Sequence, residues 1–279
     1  MPATRSPLTG RRSADRGAAP SGSSPSSASR ASAPTTSGLW LRRFQRTEDA
    51  PVRLVCFPHA GGSATYFLSA ARAHAPATDV LTVQYPGRQD RRAERPLESI
   101  PALAERITEE LLPLVDRPVA LFGHSMGATV AFEVALRLQE RGAPPVELFA
   151  SGRRSPQTHR GESLHLRDDA VLLAELVSLG GTDFRLIDDE VLRAALPALR
   201  ADYKAVETYT CDGVPVLDLP ITALVGDADP KVDLAEARAW ERHTSAGFAL
   251  EVFTGGHFYL AEHAGAVHAL LAERLDRHR

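Results

Sequence analysis

Short apolar segments alternate with longer amphipathic ones from residue 52 to the end of the chain. The apolar segments are four to six residues long and nearly continuous in apolar character. That pattern is typical of strands buried on both faces of a parallel sheet. Six strands are predicted: Val52–Phe57, Val80–Gln84, Val119–Phe122, Val146–Ala150, Ile221–Val225 and Leu250–Phe253.

The segments between these strands have the spacing of amphipathic helices. In Ile100–Leu114 and Met126–Arg141, apolar residues recur at i, i+4 and i+8. Gly142, with Pro144 just beyond it, marks the end of the second helix. Strand–helix units that repeat in this way predict an α/β fold, with a mostly parallel sheet and helices on both of its faces.

One connection is much longer than a single crossover requires. Almost 70 residues separate the strand that ends near Gly152 from the strand that begins near Ile221. We interpret the segment of about 155–215 as a helical lid inserted over the functional site. A longer connection packed on the sheet is the alternative.

Two helices are predicted within this segment. Asp168 or Asp169 caps the first, and Asp188 or Asp189 caps the second. Pro197 is expected to kink or end the second helix, because proline lacks the N–H that a helix interior requires.

The first 38 residues differ in composition from the rest of the chain. Ser, Ala, Pro, Gly and Thr supply 30 of them, with one leucine and no aromatic residue. Such a stretch buries too little apolar surface to offset its ordering entropy, so residues 1–38 are predicted to be a disordered tail. Residues 39–279 are predicted to form one domain.

Charge and composition exclude several classes of protein. The tail carries +4, which leaves −7 for residues 39–279 because the whole chain carries −3. An acidic domain without a basic stripe argues against nucleic acid as a partner. No window approaches the ~18–20 consecutive apolar residues of a membrane span, and the tail lacks the apolar stretch of a secretory signal. Cys56 and Cys211 are the only cysteines, and we interpret them as reduced thiols in a cytoplasmic protein.

The strongest chemical signal is the sequence Gly-His-Ser-Met-Gly at residues 123–127. It follows a predicted strand and opens a predicted helix, which is the context of a nucleophile elbow. The tight turn strains the serine and presents its hydroxyl at the carboxyl edge of the sheet, while the glycines avoid collisions between helix and strands. Ser125 is therefore the candidate nucleophile.

A serine nucleophile needs a base and an acid, which follow an elbow of this kind in the order acid, then histidine. Asp227 and Asp229 both follow the predicted strand Ile221–Val225. Asp229, three residues past Gly226, is the favoured acid, and Asp227 is the alternative because it could also cap the turn. Among ten histidines, His257 has the right chain order and lies behind paired glycines after the last strand, so it is the candidate base.

Other histidines near these motifs are interpreted as bystanders. His124 lies inside the elbow, where its backbone position matters more than its ring. His263, His268 and His278 fall in the final helical segment and are interpreted as surface residues.

A developing oxyanion needs two hydrogen-bond donors. The N–H of Met126, at the start of a helix, is the first candidate. The second is expected after an early strand, where residues 58–62, Pro-His-Ala-Gly-Gly, resemble the His-Gly-Gly oxyanion loops of esterases with an alanine inserted. We predict the N–H of Ala60 as this donor, with a simple glycine turn as the alternative.

Five motifs in order along the chain carry a family resemblance. They are Pro58-His59-Ala60-Gly61-Gly62, Tyr85-Pro86-Gly87-Arg88, Gly123-His124-Ser125-Met126-Gly127, Leu199-Arg200-Ala201-Asp202 and Gly255-Gly256-His257-Phe258. Together they resemble the stand-alone type II thioesterases that accompany modular polyketide and nonribosomal peptide synthetases. The resemblance covers about residues 39–275 and implies an α/β-hydrolase fold.

The resemblance implies hydrolysis of acyl groups from the phosphopantetheine arm of acyl or peptidyl carrier proteins, which clears stalled or wrongly primed chains. It implies no metal and no bound cofactor, because the pantetheine arrives with the substrate, and we expect a monomer. Arg88 and Phe258 are candidate substrate contacts, and an ordinary surface arginine is the alternative for Arg88. A general esterase or an acyltransferase of the same fold is the alternative function.

Overall fold

An eight-stranded sheet organises residues 35–180 and 189–279, which are the residues that the computed structural model describes. Its strands are β1 (Thr35–Ser37), β2 (Leu41–Arg43), β3 (Val52–Phe57), β4 (Thr78–Val83), β5 (Val119–His124), β6 (Glu147–Ser151), β7 (Ile221–Gly226) and β8 (Phe248–Phe253). They are ordered β1-β2-β4-β3-β5-β6-β7-β8. The pairs β1–β2 and β2–β4 are antiparallel, and all other neighbours are parallel. The predicted mostly parallel sheet is confirmed.

The helices predicted from the sequence are present, together with further short helices that were not predicted. In the described residues the α-helices are α1 (Leu68–His74), α2 (Ile100–Leu111), α3 (Met126–Glu140), α4 (Asp169–Leu179), α5 (Asp189–Glu207), α6 (Leu234–Arg238), α7 (Tyr259–Glu262) and α8 (Ala264–Asp276). The α-helical part of α2 ends earlier than predicted and continues as a 3-10 turn over Leu112–Leu114. Pro113 lies in that turn and has no N–H to continue the α-helical bonds.

Both faces of the sheet are buried, as the nearly continuous apolar character of the strands predicts. In β3, Val55 and Phe57 join the core formed with α2 and α3. The alternate residues Leu54 and Cys56 join a second core with α1 and α8. Successive side chains of a strand point to opposite faces, so a strand between two cores needs apolar residues at every position.

The boundary of the predicted tail needs a correction. Thr35–Ser37 form β1 and pair with Leu41–Arg43, so three residues assigned to the tail are part of the sheet. Backbone hydrogen bonding places them there without an apolar pattern. The prediction for residues 1–34 lies outside the described residues.

Strand β2 escaped prediction because it contains two arginines, which suggest an exposed segment. Both side chains are buried in the structure. Arg43 forms two hydrogen bonds to the carboxylate of Asp79, at 2.7 and 2.9 Å, and Arg42 pairs with Asp90 at 2.5 Å. Their charges are matched by partners that lie far along the chain.

The predicted helical insertion lies between β6 and β7. Asp168 caps α4, because its carboxylate accepts the Val171 N–H at 2.9 Å, and Gly180 ends the helix with a φ of +79°. Helix α5 continues through Pro197 to Glu207, so proline does not end it, and the alternative of a kink stays a prediction. Proline has no N–H, so the carbonyl of Arg193, four residues earlier, lacks its helical donor. Both residues are exposed, so this carbonyl can bind water instead.

The structure describes only part of the predicted lid segment, about 155–215. Residues 181–188, with one of the two candidate caps of α5, lie outside the described residues. The lid role of the segment stays a prediction.

Candidate active site

The strand–turn–helix at Ser125 has the geometry of a nucleophile elbow. Ser125 joins β5 to α3 with a φ of +55° and a ψ of −122°, a conformation that side-chain-bearing residues rarely adopt. A Cβ atom on Gly123 would collide with the backbone of Gly127, and one on Gly127 would collide with the carbonyl of Phe57. The two glycines are therefore required where the helix start approaches the neighbouring strands.

The structure brings together Ser125, His257 and Asp229 at the carboxyl edge of the sheet. The Nε2 atom of His257 lies 3.0 Å from Oγ of Ser125. On the other side of the ring, Nδ1 lies 2.9 and 3.0 Å from the two carboxylate oxygens of Asp229. With Nδ1 protonated toward Asp229, Nε2 is left to accept the serine proton.

The structure also separates the roles of the two candidate acids. Asp229 is buried and accepts the Lys231 N–H at 2.8 Å in addition to its contact with His257. Asp227 is exposed and accepts the N–H of Gly255 at 2.9 Å. Asp227 thus hydrogen-bonds the loop that carries His257, and Asp229 faces the imidazole.

Two histidine rings without a sequence-predicted role pack near His257. The ring centroids of His124 and His257 are 5.1 Å apart, and those of His59 and His124 are 6.0 Å apart. Burial, with a smaller effect of His257, lowers the pKa of His59 to about 3 and that of His124 well below its ordinary value. Both rings are therefore neutral near neutral pH. Nδ1 of His124 lies 3.0 Å from Oγ of Ser151, and this hydrogen bond fixes the orientation of the ring. The position of His124 in the elbow did not predict this contact.

The two predicted oxyanion donors lie on segments that touch. Met126 is the first residue of α3, where backbone N–H groups have no partner within the helix. The space beside Gly127 is closed by the carbonyls of Phe57 and Pro58, so the loop that carries Ala60 begins against the start of α3. Within residues 35–180 and 189–279, the N–H of Ala60 donates to no other protein group. It is available to a ligand oxygen.

Arg88 lies in a place that the sequence did not predict. The residue is only 8% exposed, and its guanidinium pairs with Asp202 at 2.8 Å. It also donates to the carbonyl of Gly62 at 3.3 Å. It is therefore not an ordinary surface arginine, because its charge is matched by a buried partner that lies 114 residues away. Its contact with the substrate stays a prediction. Asp202 itself lies in a motif noted in the sequence, and the motif was the only signal of its importance.

A cavity of about 410 Å³ opens beside this loop, in the size range of ligand sites. The loop of residues 59–62 forms one wall, together with Tyr66 and Phe258. Helices α4 and α5 form the facing wall, with the side chains of Leu176, Val191, Leu192, Ala195 and Leu199. Phe258, a predicted substrate contact, borders this cavity. Its ring centroid lies 5.2 Å from that of His257.

A second cavity of about 300 Å³ lies on the other side of Tyr66. Its walls are mostly apolar and include Phe67, Phe122 and Leu271. His268 also borders it, half-buried and 5.3 Å from the ring of His74, which corrects the interpretation of His268 as a surface residue. Its helix presents that position to α1 and to the cavity.

Across the described ranges, no group of three or more His, Cys, Asp or Glu residues is arranged to hold a metal ion. The described helices include none with the length and apolar character needed to cross a bilayer. The expectation that no cofactor is bound stays a prediction.

The sheet order, the elbow at Ser125 and the chain order of serine, aspartate and histidine define the α/β-hydrolase class of proteins. Within that class, the Thioesterase domain family model matches residues 52–275. The chain belongs to the thioesterase family, which confirms the predicted resemblance and fold class.

Two thioesterases and one solved structure are similar to most of this chain. The chain is 50% identical over 245 residues to the probable cadicidin biosynthesis thioesterase of Streptomyces griseus, covering 88% of this chain and 68% of that protein. It is 51% identical over 227 residues to the thioesterase PikA5 of Streptomyces venezuelae, covering 80% and 81%. The structure of BorB, the type II thioesterase from the borrelidin biosynthetic cluster, matches with a TM-score of 0.81 and 50% identity, covering 86% and 99%.

Proposed function

We propose that this protein is a serine thioesterase that hydrolyses acyl groups from the phosphopantetheine arm of acyl or peptidyl carrier domains. The observation that carries the proposal is the hydrogen-bonded series Ser125, His257 and Asp229 beside the cavity, in a chain of the thioesterase family. Clearing stalled or wrongly primed chains from a polyketide or nonribosomal peptide synthase is the role that fits this chemistry.

Acylation begins at the serine hydroxyl. Oγ of Ser125 attacks the thioester carbonyl carbon while Nε2 of His257 takes the serine proton. The carbonyl oxygen becomes an oxyanion, which the N–H groups of Ala60 and Met126 stabilise. When the tetrahedral intermediate collapses, the carbon–sulfur bond breaks and His257 returns its proton to the pantetheine thiolate. Asp229 stabilises the imidazolium and keeps its orientation through both transfers.

Deacylation repeats these steps with water. His257 takes a proton from a water molecule, whose oxygen attacks the acyl-serine carbonyl carbon. Collapse of the second tetrahedral intermediate breaks the bond to Oγ, and the proton on His257 returns to Ser125. The free carboxylic acid leaves, and the net reaction consumes one water molecule without a cofactor.

The substrate class is supported by the named relatives. PikA5 and BorB are both named as thioesterases, and BorB belongs to a biosynthetic cluster. A carrier domain of a modular synthase, in the cytoplasm, is the partner that this relation supports, and we propose a monomeric enzyme. Residues 39–279 carry −7, so an acidic carrier gains no general attraction, and docking must depend on a local basic or apolar patch.

The test compares hydrolysis of acyl-carrier-protein thioesters with hydrolysis of simple esters. Wild type is expected to have a much higher kcat/KM for the carrier thioester than for an ester with the same acyl group. Ser125→Ala is expected to lose both activities. Efficient cleavage of simple esters with no action on carrier thioesters would identify a general esterase, and transfer of the acyl group to an acceptor other than water would identify an acyltransferase. Full activity of Ser125→Ala would remove the serine from its proposed role.

A further inference from the structure

The loop that carries Ala60 is held by side chains from two distant parts of the chain. The N–H of Gly61 donates to one carboxylate oxygen of Asp202 at 2.8 Å. The other oxygen of Asp202 accepts from Arg88 at 2.8 Å, and Arg88 donates to the carbonyl of Gly62 at 3.3 Å. Two consecutive residues of the loop are therefore bound by one buried ion pair.

These contacts restrict the peptide groups on either side of Ala60. The Gly61 N–H belongs to the peptide after Ala60, and Asp202 holds it. The carbonyl of His59 belongs to the peptide before Ala60 and accepts the Gly62 N–H at 2.9 Å. A peptide group is planar, so holding this carbonyl also sets the direction of the Ala60 N–H.

Helix α5 provides the carboxylate and also the packing. Leu199 and Asp202 are three residues apart on α5 and lie on the same side of the helix. A Cβ atom on Gly61, whose φ is +76°, would lie 2.8 Å from the Leu199 side chain. The helix thus presses against the loop at the same residue to which it is hydrogen-bonded, and α5 also walls the cavity.

Burial of this ion pair is expected to contribute little to the free energy of unfolding. Asp202 is 1% exposed, and its burial raises its pKa above the ordinary value, an effect that Arg88 and the Gly61 N–H oppose. Buried ion pairs often contribute little net stability, since removing two charges from water costs about as much as their attraction returns. The contacts of this pair with the oxyanion loop give it a different role.

We propose that Asp202 and Arg88 are positioning residues that orient the Ala60 N–H and couple α5 to the oxyanion hole. The inference rests on the proposed hydrolytic function of the site. If α5 moves away from the loop, Gly61 loses its hydrogen bond to Asp202 and the Ala60 N–H of the oxyanion hole loses its support. The acylation step then depends on the position of α5, a helix of the predicted lid.

The experiment uses the full chain and four variants. Asp202→Asn keeps the shape but loses the charge, Asp202→Ala loses the acceptor, and Arg88→Lys keeps the charge but loses the planar donor pair. Glu94→Gln is the matched control, since it removes the partner of another buried arginine, Arg91, bound at 2.6 and 2.8 Å in the same segment. The readouts are kcat and KM with an acyl-carrier thioester and with an aryl ester. The affinity for an alkyl boronic acid, which forms a tetrahedral adduct with Ser125, is measured in parallel.

Asp202→Ala is expected to lower kcat about 10–100-fold with KM changed less than about threefold, below the full loss of an oxyanion donor. Boronate affinity should fall by a similar factor, because the adduct oxygen uses the same hole. Asp202→Asn and Arg88→Lys should fall between Asp202→Ala and wild type, and Glu94→Gln should match wild type. The conservative variants decide the question if Asp202→Ala does not fold.

Unchanged kcat and boronate affinity in Asp202→Asn and Arg88→Lys would overturn the positioning role, as would an equal loss in Glu94→Gln. The two proposals fail in different ways. If wild type ignores carrier thioesters but Asp202→Ala still weakens boronate binding and aryl ester hydrolysis, the substrate proposal is wrong and the positioning role stands.

Discussion

The Nε2 atom of His257 lies 3.0 Å from the Oγ atom of Ser125, although the two residues are 132 positions apart in the chain. Among the described residues, no other base lies within hydrogen-bond distance of Oγ of Ser125. His257→Gln is therefore expected to lower kcat/KM for an acyl thioester about 10⁴-fold or more. Steady-state hydrolysis measures this loss. Covalent labelling of Ser125 by a fluorophosphonate should slow in parallel, and rapid labelling of the variant would contradict the assignment.

The two aspartates after β7 offer a paired test. Asp229→Asn is expected to lower kcat about 10³–10⁴-fold, since an amide beside Nδ1 favours the wrong tautomer of His257. Asp227→Asn is expected to cost less than about tenfold, because its amide oxygen can still accept the Gly255 N–H. Kinetics of both variants with one thioester provide the comparison. A larger loss at residue 227 would reverse the assignment of the acid.

The backbone strain at Ser125 predicts a difference in stability between two inactive variants. Glycine adopts a φ of +55° without the cost that a Cβ atom imposes, although it also adds freedom to the unfolded chain. Ser125→Gly is therefore expected to be about 1 kcal/mol more stable than Ser125→Ala, and both are expected to be inactive. Urea unfolding of the two variants measures the difference. Ser125→Ala is the matched control because it keeps the Cβ atom, and equal stabilities would argue against strain in the elbow.

Tyr66 separates the two cavities near the site, because it lines both of them. Tyr66→Ala is expected to join them and to raise the ratio of kcat/KM for long against short acyl chains about tenfold or more. A series of acyl thioesters of increasing length measures the ratio. Tyr66→Phe keeps the ring and is the control. An unchanged ratio in Tyr66→Ala would mean that the second cavity does not receive the acyl chain.

The buried His74 and its half-buried neighbour His268 predict how stability depends on pH. Burial lowers the pKa of His74 to about 4 and that of His268 below its ordinary value, about 6.5. Between pH 6.5 and 4 the unfolded chain holds more protons than the folded one at His74, so stability is lost as the pH falls through this window. The loss from His74 is expected to be about 1–3 kcal/mol by pH 4.

Denaturant unfolding at several pH values measures this slope. His74→Leu is expected to make the slope shallower, because leucine cannot take up a proton in the unfolded chain, while the lowered pKa values of His59 and His124 maintain part of it. His159→Asn, at an exposed position, is the control. A slope in His74→Leu as steep as in wild type would show that the acid sensitivity arises at other groups.

Much of the fold was predictable because its signals are local. All six predicted strands are present within two residues of their expected ends, since strands covered on both faces are mostly apolar along their length. The elbow was predictable for the same kind of reason, because a strand, a tight glycine turn and a helix occupy one continuous segment. Strand β2 was missed because its two arginines are buried only by pairing with β4 and Asp79, which lie far along the chain. Strand β1 was missed because it is a short polar segment that pairs only with β2.

The sequence by itself determined the parallel α/β architecture, the elbow at Ser125 and the candidate set around His257. Only the tertiary structure decided that Asp229 rather than Asp227 faces the imidazole, since both follow β7 and the positions of the two loops select between them. It also decided that Arg88 is buried against Asp202. A charged side chain looks exposed until its partner is known, and that partner is found only when α5 packs against the loop of residues 59–62. Long-range electrostatic pairing leaves no periodic pattern in a sequence, whereas burial of apolar strands does.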